Sequence, residues 1–151
     1  RKQIYDFCEK VMLKRPESVF GADIIAGFPT ETEENFNETL NLIKDIPQFI
    51  HMHIFPFSAH GGTPASRMPQ VNGNIIRSRA KLLREIGYSN RLNFLKSLVG
   101  KTQNILFEKD DYGKNDQFLK VKTHSISHTN KFLYFYLTMK PDFTLSKNHL
   151  L

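Results

Sequence analysis

The segment Gly27-Phe28-Pro29-Thr30-Glu31 joins an apolar run to an acidic one, and a turn of this composition can orient a small molecule. Glycine lets backbone approach a ligand closely, and at the carboxyl end of a parallel strand the exposed amides point to where ligands usually bind. The turn has neither the glycines nor the lysine of a phosphate loop. An ordinary strand-to-helix turn is the other reading of the same residues. Asp23 lies inside the apolar run and needs a partner if buried, which either an ion pair or a ligand contact would satisfy.

His51 and His53 are two apart and share one face of a strand, and with His60 they offer three imidazoles to a metal. No carboxylate or thiol stands at a ligand spacing, so they are read as packed or hydrogen-bonded histidines and no metal site is assigned. Ser58 and His60 are near each other in sequence only, which does not assemble a nucleophile with a base. The single cysteine, Cys8, excludes a disulfide framework and any cluster held by several thiolates of this chain. With Ile4, Phe7 and Val11 at helical spacing around it, Cys8 is expected to be a buried thiol behaving as a small hydrophobe. No catalytic residue is assigned.

Charge is more informative. Residues 51–101 carry eight basic side chains against the single Glu85, within a formal net charge of +6 for the chain. Arg67 and the helical series Arg77, Arg79, Lys81, Arg84, Arg91 and Lys96 could attract a polyanion, and a solvated helix face is the plainer reading. Phe132, Tyr134 and Tyr136 alternate on one strand face, where they could stack bases or fill a small core.

The elements that must position these residues follow from periodicity. Residues 19–26 read as a strand closed by Gly27 and Pro29, and Thr30 with Glu33 fits a capping box for a helix running to Asp45. Residues 49–55 give a second strand ended by Pro56, completing a parallel strand-helix-strand unit. After a loop rich in Gly and Pro, a long helix from Asn74 to Leu98 presents Ile76, Ala80, Leu83, Ile86 and Asn90 on one face. Gly87 predicts a bend or break within it, and Gly100 its end. Residues 103–108, 117–124 and 132–139 read as two or three antiparallel strands of a small domain.

With 151 residues the chain can bury one core, or one core and a small satellite. A complete eight-unit barrel takes about 250 residues, more than are available. No apolar run reaches the length of a membrane span and no signal peptide opens the sequence, so a cytoplasmic location and no membrane partner are expected. The opening Arg1-Lys2-Gln3-Ile4 reads as the interior of a helix, which predicts missing sequence upstream.

Two stretches resemble one family. Asp23-x-Ile25-x-Gly27-Phe28-Pro29-x-Glu31-Thr32-Glu33-Glu34-x-Phe36 is similar to the radical-SAM tRNA methylthiotransferases. His53-x-Phe55-Pro56, followed by Gly62-Thr63-Pro64-Ala65-x-Arg67-Met68-Pro69-x-Val71, resembles the bacterial branch acting on threonylcarbamoyladenosine. The resemblance runs from about Arg1 to Lys140. It implies an α/β fold, with part of a radical-SAM β/α barrel over residues 1–100 and a partial, TRAM-like tRNA-binding β-domain over residues 101–151.

It also implies contacts to S-adenosyl-L-methionine from Ile25, Gly27, Phe55 and Phe57, and to the substrate from His60, Thr63, Arg67, Arg77 and Arg84. The implied activity is transfer of a methylthio group to N6-threonylcarbamoyladenosine at tRNA position 37, with the anticodon stem-loop as partner. The complete enzyme of such a family holds two 4Fe–4S clusters on two sets of cysteines, and neither set is present here. The chain is therefore expected to be a carboxyl-terminal portion, inactive alone, whose amino-terminal half is missing from the same polypeptide. A non-catalytic RNA-binding module, or the remnant of a degraded gene, is the alternative. Thr30, Phe57 and His60 stand where the family usually has glycine, tyrosine and arginine, and a positive φ at Thr30 would be strained.

Overall fold

The computed structural model describes residues 1–109, 112–122, 132–139 and 145–147. The chain divides into two compact units, Arg1–Arg91 and Leu92–Leu151.

The first unit alternates helix and strand: α1 (Lys2–Lys14), β1 (Phe20–Ala26), α2 (Glu33–Asp45), β2 (Phe49–Pro56), a 3-10 turn (Pro64–Arg67) and α3 (Gly73–Leu98), which continues past the division. β1 and β2 are parallel, with Gly21 opposite His51, Asp23 opposite His53 and Ile25 opposite Phe55. Side chains alternate across a strand, so this register sorts the two faces. Ile24, Ala26, Met52 and Ile54 turn toward Phe36, Leu40 and Ile43 of α2 and Ala80 and Leu83 of α3. Burying each of the larger side chains contributes about 1.5–3 kcal/mol, which makes this cluster the main anchor of the sheet. A second cluster joins Cys8 of α1 to Ile46 and Phe49. Cys8 is 1% exposed, and burial pushes its thiol above the ordinary value, as expected of a packing residue.

Two local expectations need correction, and a third is settled by exposure. The capping box belongs to Thr32 and Asn35: the Asn35 amide donates to Thr32 Oγ1 at 3.1 Å, and the Thr32 amide to Asn35 Oδ1 at 3.2 Å. Thr30 cannot cap, because it sits at φ 70° inside a turn, whereas Thr32 has the extended backbone an N-cap requires. α3 is unbroken through Gly87, whose missing side chain makes room for strand β2; a Cβ there would lie 3.2 Å from Met52 Cε. Asp23 is exposed on the helix-free face of the sheet, with Oδ1 3.8 Å from His53 Nδ1, so it carries no burial cost.

The second unit is a barrel of β3 (Thr102–Lys109), β4 (Tyr112–Asn115), β5 (Lys120–Lys122), β6 (Phe132–Met139) and β7 (Leu145–Lys147). Among the described residues these strands close in the order β3-β4-β5-β7-β6, with β5 and β7 parallel and the other described pairs antiparallel. That order, with third and fifth strands parallel, is the topology of the OB-fold, a five-stranded barrel that recurs in oligonucleotide binding. Ile105, Phe107, Leu119 and Val121 fill its interior. The expectation of two or three strands is thus too small. β4 escapes an apolar-pattern reading because its inward positions are Gly113 and Asn115. Gly113 is required there, since a Cβ would sit 2.4 Å from the Leu106 carbonyl oxygen. Asn115 Oδ1 accepts from the amides of Gln117 and Leu119 at 3.1 and 2.9 Å, which makes residues 116–119 a turn and not the start of a strand. The strand holding Phe132, Tyr134 and Tyr136 is observed as β6, while their side chains lie outside those described.

Candidate functional site

The carboxyl ends of β1 and β2 bring the residues of the Gly27 turn and the Phe55–Phe57 segment together. Ile25 and Phe55 are register partners on the helix-free face, 52% and 49% exposed. The Phe57 amide donates to the Ala26 carbonyl at 2.8 Å, extending the parallel ladder, and the Phe28 and Phe57 rings meet edge to face at 5.5 Å. Ile25 and Phe55 thus share one exposed surface with Phe57 following at the strand end, while Gly27 is buried against α3.

The turn itself is tightly specified. The Glu31 amide donates to the Phe28 carbonyl at 2.9 Å, with Pro29 and Thr30 between them. Proline second and a positive φ third match a type II turn, a position that favours glycine. Thr30 occupies it at φ 70°, and a side chain in this region costs about 1–2 kcal/mol. Thr30→Gly is accordingly expected to stabilise the chain by about 1 kcal/mol, the glycine's extra freedom when unfolded offsetting part of the relief. A urea midpoint that moves down instead of up would show that the turn is unstrained. Gly27 is also left-handed, at φ 76°, and lies against α3 so closely that a Cβ would be 2.4 Å from Ile76 Cγ1.

An ion cluster centred on the buried Arg79 holds this turn, with Glu31 mostly buried and Glu33 exposed. Glu31 Oε2 accepts from the Gly27 amide at 2.9 Å and from Arg79 Nη1 at 2.6 Å, and Arg79 Nη1 also donates to the Glu31 carbonyl at 3.1 Å. Arg79 Nη2 reaches Glu33 Oε2 at 2.9 Å. The guanidinium is 6% exposed and its carbon lies 5.0 Å from the centre of the Phe36 ring. Burial works against its charge, but the bonds to Glu33 and Glu31 outweigh that and hold it above the ordinary arginine value. Arg79 was expected on the solvated basic face. The missed signal is its position, three residues after Ile76 and four before Leu83, which puts it on the apolar face of α3, where an arginine must find carboxylates.

The remaining expected substrate residues follow in sequence order. His60 and Arg67 are exposed in the loop after β2, and Thr63 is half-buried there. Thr63 Oγ1 donates to the His60 carbonyl at 2.8 Å, and Gln70 Nε2 donates to the carbonyls of Ala65 and Met68 at 2.9 and 2.7 Å, so the loop is tied to itself. Arg77 and Arg84 lie on α3, Arg77 bonded to Asn74 and Arg84 Nη2 donating to the Ile54 carbonyl at 2.9 Å. Among the described residues no three His, Cys, Asp or Glu side chains converge as a metal would require. No helix among them is long and apolar enough to cross a membrane.

The barrel unit adds a face absent from the sequence reading. Tyr112 pairs with Lys122 and Lys114 with Lys120 across β4 and β5, all on the outward side, and Lys120 Nζ stands 4.1 Å over the Tyr112 ring. Cations interleaved with an aromatic ring on this pair of strands are the means by which OB-folds hold nucleic acid.

The chain matches no protein-family model. It is 44% identical over 122 residues to the threonylcarbamoyladenosine tRNA methylthiotransferase MtaB of Rickettsia prowazekii, covering 81% of this chain and 29% of that protein. The Aquifex aeolicus protein of the same name is 31% identical over 87% of this chain and 32% of its own length. The tRNA-2-methylthio-N(6)-dimethylallyladenosine synthase of Rickettsia rickettsii is 33% identical over 82% of this chain and 27% of its own. The chain thus spans about three-tenths of the length of these curated relatives. With likeness of this strength over four-fifths of its residues, and with the two motif stretches inside the α/β unit, the chain belongs to the tRNA methylthiotransferase family.

Proposed function

We propose that the chain is the carboxyl-terminal part of a radical-SAM tRNA methylthiotransferase acting on N6-threonylcarbamoyladenosine at tRNA position 37. In this reading the α/β unit is part of the radical-SAM barrel and the five-stranded barrel is a TRAM-like tRNA-binding domain. The observation that carries it is the pairing of Ile25 with Phe55 on the helix-free face, at the carboxyl ends of parallel strands and beside the Gly27 turn. In an α/β barrel that face lines the lumen and the carboxyl ends carry the ligand. Parallel sheets are normally covered on both faces, so a half-exposed apolar pair there suits a further partner.

The residues fit the adenosyl part of S-adenosyl-L-methionine: Ile25 and Phe55 offer an apolar surface and Phe57 its edge, while Gly27, buried against α3 with its amide on Glu31, would set the course of the turn beside them. They do not fit an iron–sulfur cluster. A 4Fe–4S centre takes four cysteine ligands, and the one thiol, Cys8, is packed between Ile46 and Phe49. The two clusters would be held outside these 151 residues, and the chain alone would be inactive. What its own residues supply is binding and orientation: His60, Thr63 and Arg67 toward the base, Arg77 and Arg84 toward phosphates, and the Tyr112–Lys120 face toward the tRNA anticodon stem-loop. Relatives named as transferases favour this over a free-standing RNA module, and a cytoplasmic setting goes with a tRNA substrate.

The test is a chimera in which this chain replaces the matching segment of the Rickettsia prowazekii relative, with tRNA nucleosides read by mass spectrometry. The expected product is the 2-methylthio derivative of threonylcarbamoyladenosine, and none from the isolated chain. A folded, cluster-loaded chimera that leaves this nucleoside unmodified would sink the assignment.

A further inference from the structure

We propose that the groove between the outer edge of β2 and α3 is a binding site for the phosphodiester backbone of RNA, separate from the strand-end surface described above. The cavity measures about 270 Å³ and is walled by His51 and His53 on the strand and by Arg84, Tyr88 and Arg91 on the helix, with Gly87 opening it between them. β2 pairs with β1 on one side only, so the groove runs along a strand edge with no further strand among the described residues.

Chemistry favours an anion that carries rings. Arg84, Tyr88 and Arg91 fall at helical spacing on one face, and the two arginines are seven residues, or about 10 Å of helix, apart along α3. Arg84 is pre-positioned by its bond to the Ile54 carbonyl at 2.9 Å, which uses one of its five donors. Arg91 Nη1 stands 3.4 Å from His51 Nδ1, so one guanidinium is tethered at each end of the groove. No carboxylate lines it. Glu85, next to Arg84, faces Lys81 at 3.8 Å, and Asp23 meets His53 from the other side. Tyr88 is 56% exposed between the two arginines, where its ring can stack on a base. An acidic peptide would satisfy the cations and leave that ring without a role; an RNA strand uses both.

The inference rests on reading the chain as RNA-directed, but not on its catalytic assignment. The experiment is fluorescence anisotropy of the intact chain with a labelled anticodon stem-loop over a KCl series. Arg91→Gln is expected to weaken binding about tenfold and to reduce the slope of log affinity against log salt by about 0.7–0.9, the signature of one phosphate contact. Tyr88→Ala is expected to weaken it about tenfold with the slope unchanged, as loss of stacking requires. Arg91→Lys restores the slope, and circular dichroism with unfolding midpoints confirms that each variant is folded. The proposal is overturned if both variants bind as the wild type does while Lys120→Gln loses affinity, if poly-glutamate displaces the RNA as well as RNA does, or if the chain binds no RNA. Groove variants without effect leave the transferase reading intact, whereas an inactive chimera with a responsive groove removes that reading alone.

Discussion

Replacing Arg79 with alanine is expected to lower the unfolding free energy by about 3–5 kcal/mol, the cost of removing one partner from a buried ion pair, here the one with Glu31. The reason is what remains. Glu31 stays in its half-buried place as the acceptor for the Gly27 amide, with no cation at 2.6 Å to balance it. The cation–π contact to Phe36 goes too, worth about 0.5–2 kcal/mol. Arg79→Lys should recover only part of the loss, because one ammonium cannot serve Glu31 and Glu33 in the fork geometry of a guanidinium. The double variant Arg79→Met, Glu31→Gln is the sharper measurement: the neutral amide keeps an acceptor for Gly27 and leaves no charge stranded, so it is expected to cost less than Arg79→Ala alone. Urea unfolding of the three variants decides it. A loss below about 1 kcal/mol for Arg79→Ala would mean that the cluster does not hold the turn.

How far the sequence could carry this is visible in the same residues. α1, β1, α2, β2 and α3 lie close to where their apolar periods put them, because each buries one face, α1 in the cluster around Cys8 and α3 in the one around Ala80 and Leu83. The motif stretches marked Gly27 and Phe55 to Phe57, and the structure brings these together at the strand ends. The Glu31–Arg79 pair was not legible: the two are 48 residues apart, and a basic helix hides one inward arginine among several outward ones. β4 and β7 were missed for a different reason. A strand of three or four residues closes a barrel through backbone pairing and is too short to show an apolar period, and the inward positions of β4 are Gly113 and Asn115. The cap at Thr32 was misplaced by two residues because Thr30 and Glu33 carry the same local pattern, and only the backbone angle at Thr30 separates them.

Gly27→Ala is expected to cost about 2–5 kcal/mol, from two separable sources. A side chain at φ 76° costs about 1–2 kcal/mol wherever it stands. The new Cβ also falls 2.4 Å from Ile76 Cγ1, and forcing a methyl into a packed contact costs about 1–3 kcal/mol more. Since Ile76 is on α3 and Gly27 ends β1, relief by movement would shift the helix against the sheet and disturb Arg79 one turn further on. A double-mutant cycle separates the terms. In an Ile76→Ala background the 2.4 Å contact with Cγ1 is removed and only a 3.1 Å contact with the retained Cβ is left, so most of the steric term is relieved and Gly27→Ala should there cost close to the backbone term of about 1–2 kcal/mol. Equal costs in both backgrounds would place the whole penalty in the backbone and leave the contact with α3 without energetic weight. No cost in either would show that the strand end does not hold a left-handed residue in solution, and the turn that Gly27 and Glu31 build beside Phe55 and Phe57 would lose its fixed course.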